Sequence, residues 1–378
     1  DPDPNDPDPN DPDPNDPDPN DADPNDADPN DQDALKEGCN PSAPGTGLNL
    51  AENPAFTVAV SPPTIAFGDL SNKGHLHYPD GAVSLVKTAV GWEAFLPVGN
   101  STFRLVGASP NGLSVNPGGP IIAPTGSIND PHHGYAGATS VFDCGGLRTA
   151  FFHSEYHNIP VPKPPDSPFP YHASMGRATS PDGANFTVDA QPWVLTSSGS
   201  KPYKAPKIAY GAGGGSVFDP GGEYLYMYYF DWNASPGTHV ARACKTSCGS
   251  PGSWRKWNGN SFAGDALGND FLSPSGQSAA IIPVGPGSFD AFNVVSYNTY
   301  LGAYLMVSAT EKGIALRASS DGINWGARVR VLKHLAPYDT TMRVLYPSAF
   351  DAQTWSRNLT GRYLKLFFGA EMNPAGQK

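Results

Sequence analysis

The first 33 residues lack Lys, Arg, Ser and Thr, and apart from Pro they contain no apolar side chain larger than Ala. Such a segment cannot bury enough surface to offset the entropy cost of ordering it, so no packed core can form there. Residues 1–20 repeat the pentapeptide DPDPN four times, and residues 21–30 repeat DADPN twice. Because proline removes backbone donors, helix and central strand are excluded, and an extended, polyproline-like shape is predicted.

The rest of the chain has little net charge. Of the 36 acidic residues, 14 lie within 1–33, which leaves 22 against 24 Lys and Arg, a net charge of +2. A near-neutral body does not indicate the basic surface patch that is typical of nucleic-acid-binding proteins. No apolar run reaches the ~18 residues that a membrane-spanning helix needs, so no transmembrane segment is expected.

The chain has only four cysteines, Cys39, Cys144, Cys244 and Cys248. No His pair stands at zinc-finger spacing, so we expect no metal site at these residues. We predict a local disulfide Cys244–Cys248 and a second disulfide, Cys39–Cys144, that ties the repeat to the body. An even number of cysteines and four N-glycosylation sequons predict a secreted glycoprotein. The sequons are at Asn100, Asn185, Asn233 and Asn358, where we expect turns or exposed strand ends.

The body contains a second, longer repeat. Five segments have the pattern strand, polar turn, strand, with β-branched and aromatic residues at alternate positions. They begin at Gly81, Ala138, Gly215, Val294 and Pro347. A turn motif, Ser-x-Asp/Asn-Gly, recurs in the same phase at Ser109, Ser180 and Ser319. The 42 Gly and 41 Pro are also typical of an all-β protein with many turns.

These repeats predict an all-β fold, a five-bladed β-propeller over residues 45–378. The fifth unit stops after Phe368 without a turn motif, and the segment Phe56–Val60 is expected to supply its missing strand. Ahead of the propeller we expect an arm formed by the acidic repeat, 1–33, and a tether, 34–44.

The motifs carry a family resemblance. The sequence Ser216-Val-Phe-Asp219 followed by Gly221-Gly-Glu-Tyr224, and the turn Ser319-Ser-Asp-Gly-Ile-Asn-Trp325, resemble the blades of glycoside hydrolase families 43 and 32. The turn is also similar to the Asp-box of sialidases. In the enzyme families, three carboxylates from different blades meet in a central funnel, so the resemblance implies such a site here.

Three residues are candidates for those carboxylates if the protein is an enzyme: Asp130, Glu155 and Asp290. Asp130 stands before Pro131 and resembles the Asp-Pro that carries the base in family 43. Glu155 ends a predicted strand, and Asp290 precedes an inner strand, as does Asp339. Structural alternatives remain, because Asp before Pro is a common turn former and Glu155 can form a hydrogen-bonded cluster with neighbouring histidines.

The repeat allows three interpretations: a passive linker, a Ca²⁺ site, or the spine of a polymer. Its unit, Asp1-Pro2-Asp3-Pro4-Asn5, has the Asp-x-Asp-x-Asn spacing that opens Ca²⁺ loops. It also resembles the linear short-repeat peptides at the axis of glycan-coated extracellular fibrils. In a polyproline helix, equivalent prolines of successive units are rotated by about 120°, so modifications would surround the rod.

We therefore predict a secreted, glycosylated structural protein. In this hypothesis the arm links propeller bodies into a homopolymeric fibre, with covalent glycans, no other cofactor, and Ca²⁺ as a candidate ligand of the repeat. The alternative is a secreted glycoside hydrolase, or a sugar-binding propeller, carried on an acidic linker.

Overall fold

A computed structural model describes residues 58–61, 79–163, 170–200, 203, 207–233, 235–285, 289–333 and 342–372. All of them belong to one compact unit. The predicted arm and tether lie outside the described residues, as do Cys39 and Asp339.

The first two blades are antiparallel sheets built from consecutive strands. Blade I consists of β1 (Ser84–Thr88), β2 (Gly91–Val98), β3 (Ser101–Gly107) and β4 (Ser114–Ile122). Blade II consists of β5 (Tyr135–Cys144), β6 (Leu147–Tyr156), β7 (Tyr171–Ser180) and β8 (Thr187–Val188). Polar turns separate the strands, but burial does not alternate as the sequence pattern predicts: β2 and β6 each contain six consecutive buried residues, because both faces of the blade are covered.

The remaining blades repeat this order with additions. Blade III consists of β9 (Ala209–Phe218), β10 (Tyr224–Asp231), β11 (Gly237–Cys244), β12 (Arg255–Trp257) and β13 (Phe262–Asp265), and β14 (Ile282–Pro283) pairs with β11. Blade IV consists of β15 (Asp290–Asn298), β16 (Ala303–Thr310), β17 (Gly313–Ser319) and β18 (Val329–Lys333). Blade V pairs β19 (Met342–Asp351) with β21 (Leu364–Met372), whereas β20 (Leu359–Thr360) runs parallel to β15.

Apolar clusters between neighbouring blades close these sheets into a ring. Phe95 packs with Phe152 across blades I and II, and Tyr228 packs with Met306 across blades III and IV. Leu96 packs in one cluster with Phe350, which joins blade I to blade V. The predicted all-β, five-bladed propeller is therefore confirmed, and a single 3-10 turn, Lys245–Ser247, interrupts the β-structure of the described residues.

The predicted closing strand is not formed by its described residues. Residues 58–61 belong to no strand, and Val58 and Val60 are 38% and 49% exposed. The first two residues of that prediction, 56 and 57, lie outside the described residues. Instead, the backbone amide of Val83 donates to Ser348 Oγ over 2.9 Å, so blade V contacts blade I directly.

The predicted turn motif is built from one repeated hydrogen-bond pattern. Asp182 Oδ1 accepts bonds from the amides of Ala184 and Asn185, each at 2.8 Å, and Ser180 Oγ accepts from the amide of Gly183 at 2.9 Å. Asp321 and Ser319 make the equivalent bonds in blade IV. The motif therefore forms the same compact turn in blades II and IV, as predicted.

The cysteine pairing differs from the prediction. Cys144, at the end of β5, forms a disulfide with Cys248, 104 residues later. Cys244 is disulfide-bonded as well, so the predicted local Cys244–Cys248 bridge is wrong. The predicted Cys39–Cys144 bridge is also wrong, because Cys144 pairs with Cys248. Cys244 ends β11, whereas Cys248 follows the 3-10 turn with a left-handed φ of 49°. This turn carries Cys248 to the neighbouring hairpin of blade II.

The sequons occupy unlike environments. Asn100 and Asn185 are exposed, and Asn358 is partly exposed, its Oδ1 accepting a bond from the amide of Asp219 at 3.2 Å. Asn233, however, is only 2% exposed, so the expectation of an exposed turn is wrong there.

No helix among the described residues is long and apolar enough to cross a membrane.

Candidate active site

Bulges in the inner strands shape the centre of the ring. In β9, β15 and β19, two residues of the inner strand face a single residue of the neighbouring strand. One residue of each bulge has a left-handed backbone: Gly214 (φ 62°), Phe292 (φ 55°) and Tyr346 (φ 53°). A positive φ in a bulky aromatic residue is a genuine outlier, and such outliers cluster at functional sites.

The three bulge residues line one cavity, which we call the channel cavity. Its volume is about 60 Å³, and all five blades contribute to it. That space holds roughly four water molecules. Its polar and aromatic lining includes Asp80, Tyr135, His153, Glu155, Tyr171 and Asn293.

Glu155 lies in this cavity between two histidines. Its Oε1 is 3.1 Å from His153 Nε2, and its Oε2 is 2.7 Å from His157 Nε2. Burial acts to raise the pKa of Glu155, but the hydrogen bonds from His153 and His157 outweigh it and lower the pKa from its usual value. Glu155 is therefore an ionised carboxylate at neutral pH.

The bulge in β9 orients His153. The amide of Gly214 donates to His153 Nδ1 over 3.1 Å. Nδ1 is then the acceptor of the neutral ring, and Nε2 carries the proton that is donated to Glu155.

Asp80 is the second carboxyl of the channel cavity. Tyr346 forms a hydrogen bond with its side chain, and Tyr135 Oη donates to its main-chain oxygen. Burial, with the charges of Asp80 and Glu155, raises the pKa of Tyr135 and Tyr171 well above the usual value. These phenols therefore stay protonated beside the two carboxyls.

The sequence analysis missed Asp80. A signal was present, because Asp80-Gly81 lies just before the inner strand of blade I, which begins at Ser84, and Asp290 begins that of blade IV.

The structure separates the three predicted carboxylates. Glu155 lines the channel cavity, whereas Asp130 and Asp290 are absent from its described lining. Asp130 lies in a turn in which its main-chain oxygen accepts from His133, 3.2 Å away. Asp290 is buried and ion-paired with Arg317 at 2.9 Å, which fixes β15 to β17.

No group of three or more His, Cys, Asp or Glu among the described residues is arranged to hold a metal ion. The repeat beginning at Asp1 lies outside the described residues, so the Ca²⁺ expectation stays a prediction.

Comparison with known proteins gives a fold but no family. No protein-family model matches the sequence. No curated protein matches it either. Among solved structures, a thermostable family 43 glycoside hydrolase is similar with a TM-score of 0.50 and 9% identity, over 79% of this chain and 88% of that one.

Two further solved structures have lower scores. An α-L-arabinofuranosidase from Podospora anserina, in complex with cellotriose, has a TM-score of 0.46 and 12% identity over 82% of this chain and 89% of that one. A family 117 glycoside hydrolase from Zobellia galactanivorans has a TM-score of 0.45 and 11% identity over the same shares.

These comparisons contradict the main prediction. The propeller fold matches that of a family 43 glycoside hydrolase, so the prediction of a structural fibre subunit is wrong.

Proposed function

We propose that the protein is a glycoside hydrolase whose reaction takes place in the channel cavity. The observation that carries the proposal is the presence of two carboxyls from different blades, Asp80 and Glu155, in one cavity lined by aromatic rings. Glycoside hydrolysis needs one ionised and one protonated carboxyl on either side of the scissile bond.

The environment of Glu155 suggests its role. Glu155, held ionised by His153 and His157, is the base or nucleophile. The proton-donor role then falls to Asp80, because the second carboxyl of the pair must protonate the leaving-group oxygen.

We also propose that the enzyme is secreted and carries glycans. The sequons at Asn100 and Asn185 lie on exposed turns, and the Cys144–Cys248 disulfide suits an oxidising compartment. Intact-mass analysis before and after glycosidase treatment tests this, and an unmodified mass from a glycosylating host would contradict it.

Hydrolysis of a panel of aryl glycosides tests the activity. We expect Asp80→Asn and Glu155→Gln each to lower kcat by about 10²–10⁴-fold, the usual contribution of an acid–base group. Asp130→Asn is the matched control: it removes a predicted carboxylate that does not line the cavity, and we expect it to stay within about twofold of wild type.

Sugar binding without hydrolysis by the wild type would contradict the proposal and favour a binding propeller. Full activity of Glu155→Gln would also contradict it. Loss of activity in Asp130→Asn, with Asp80→Asn active, would move the site to the turn at Asp130.

A further inference from the structure

A second, larger cavity lies beyond the floor of the channel cavity. It has a volume of about 240 Å³, and we call it the basal cavity. Its lining comes from β1, β2, β5, β9 and residues 354–358. Thr139 and Ser216, which line the channel cavity, are hydrogen-bonded from the other side by Arg357 of the basal cavity.

The guanidinium of Arg357, which lines the basal cavity, has no carboxylate partner among the described residues. Its Nη1 donates to Ser84 Oγ at 3.2 Å and to the main-chain oxygen of Thr139 at 3.0 Å, and its Nη2 donates to Ser216 Oγ. All three acceptors are neutral. Nε is buried and has no hydrogen-bond partner among the described residues.

The charge of Arg357 is therefore not neutralised by the described part of the chain. The one acidic residue in the lining is Asp143, which is 61% exposed and pairs with Arg148 at 2.6 Å. Lys87 adds a second positive charge to the lining. Burial lowers the pKa of Arg357 to about 10, which leaves it charged at neutral pH. Desolvated charges in proteins are normally paired, so the cavity is suited to an anion.

Two tryptophans form the aromatic part of the same cavity. The ring centroids of Trp92 and Trp355 are 6.4 Å apart at an angle of 59°. Trp355 has a left-handed φ of 60°, an outlier like those of the channel cavity, and Lys365 Nζ lies 3.6 Å from its ring centroid. Aromatic side chains offer a flat apolar surface of the kind that packs against the C–H face of a sugar ring.

We propose that the basal cavity binds a small carboxylated sugar, its carboxylate on Arg357 and its ring against Trp92 and Trp355. The volume, about 240 Å³, is just below the 300–1,000 Å³ typical of drug-sized ligands, which suits a single sugar unit. This site is separate from the channel cavity, and it does not depend on the proposed hydrolysis.

Calorimetric titration of the full chain with D-glucuronate, D-glucose and inorganic phosphate tests the proposal. We expect one glucuronate to bind and glucose to bind at least tenfold more weakly. Equal binding of the two sugars, or binding of phosphate in place of glucuronate, would overturn it.

Variants then locate the site. Arg357→Met should weaken glucuronate binding at least tenfold, whereas Asp80→Asn, in the channel cavity, should leave it within twofold of wild type. The opposite pattern would place the sugar in the channel cavity and overturn the proposal.

Because Arg357 also joins three inner strands, Arg357→Met can fail to fold. In that case Lys87→Met, an exposed position of the same lining, decides the matter. We expect at least threefold weaker glucuronate binding, and unchanged binding would overturn the proposal.

Discussion

The amide of Gly214 sets the protonation pattern of His153, because it donates to Nδ1 and leaves Nε2 to donate to Glu155. Glu155 accepts its second bond from His157. The ionised state of this carboxylate therefore depends on two residues that need not touch a substrate. Removing either donor lets burial, which acts in the opposite direction, dominate the pKa of Glu155.

This balance predicts a pH effect in the proposed enzyme. His157→Phe removes the 2.7 Å hydrogen bond to Glu155, so the pKa of Glu155 should rise. The acidic limb of the kcat/KM profile, which reports the free enzyme's base, should move to higher pH. A pH–rate comparison with wild type measures it, and an unmoved limb with lower activity would mean that His157 acts only structurally.

A second residue predicts a pH dependence of stability. Burial lowers the pKa of His172 to about 4, although Asp231 and Asp270 favour its charged form. The unfolded chain therefore binds the additional proton as the pH falls from about 6.5 to 4. The contribution of His172 to the free energy of unfolding is therefore fully present above pH 6.5. It is lost as the pH falls towards 4, which lowers the free energy of unfolding by up to about 3 kcal/mol.

Urea unfolding at pH 7 and pH 4.5 measures this loss in wild type and in His172→Gln. The variant keeps a side chain that can bond to Tyr203, which lies 3.0 Å from His172 Nδ1, but it cannot titrate. An equal loss of stability in both proteins would assign the acid sensitivity to other groups.

At the level of single residues, the sequence predicted what local hydrogen bonds determine. Asp351 and Asp219 each accept backbone amides two or three residues ahead, the bonds that make Asp a common turn former. Glu155 was a candidate because it ends a strand. Its ionisation could not be predicted, since it depends on Gly214, a residue of another blade.

Among the structural elements, the bulged inner strands do most to build the channel cavity. Bulges redirect side chains and are common next to active sites. The residues Gly214, Phe292 and Tyr346 share this position in blades III, IV and V. The sequence showed the strands but not the bulges, because nothing in the local pattern marks Phe292 or Tyr346 as left-handed. The Ser-x-Asp-Gly turns were predictable since all their hydrogen bonds lie within six residues.

Gly214→Ala tests the importance of the bulge. A Cβ there would adopt the disfavoured φ of 62° and lie 3.2 Å from Phe292 Cδ1. The left-handed backbone alone costs about 1–2 kcal/mol for a residue with a Cβ, so we expect a loss of at least that size. Gly222→Ala is the matched control, because its Cβ would meet nothing within 4 Å and its φ is not positive.

Thermal and urea unfolding of the two variants gives the comparison. Equal stability of Gly214→Ala and Gly222→Ala would show that the bulge tolerates a side chain. A stable Gly214→Ala that hydrolyses glycosides like wild type would also contradict the role of this bulge in orienting His153.

At the scale of the whole molecule, the sequence predicted the number of blades but not how they are joined. Each blade is a local arrangement, so its strands and turns can be recognised within one repeat. Joining depends on contacts between distant residues, such as Val83 with Ser348 and Arg357 with Ser216. The pairing of the cysteines failed for the same reason: proximity in sequence favoured Cys244–Cys248, whereas the packing of blades II and III brings Cys144 to Cys248.

This disulfide gives the prediction for the whole ring. It links hairpins of blades II and III across 104 residues of sequence, so in the unfolded chain it closes a long loop. We expect the double variant, Cys144→Ser with Cys248→Ser, to lower the free energy of unfolding by about 2–4 kcal/mol, because its unfolded chain has more conformational entropy without the cross-link.

The loss of stability should appear first in blades II and III. Amide hydrogen exchange should become faster in β6 and β11, because the disulfide no longer joins the two blades. Peptide mapping of the oxidised wild type is the control: a peptide joining Cys144 to Cys248 is required, and a Cys244–Cys248 bridge would refute both the pairing and the predicted loss.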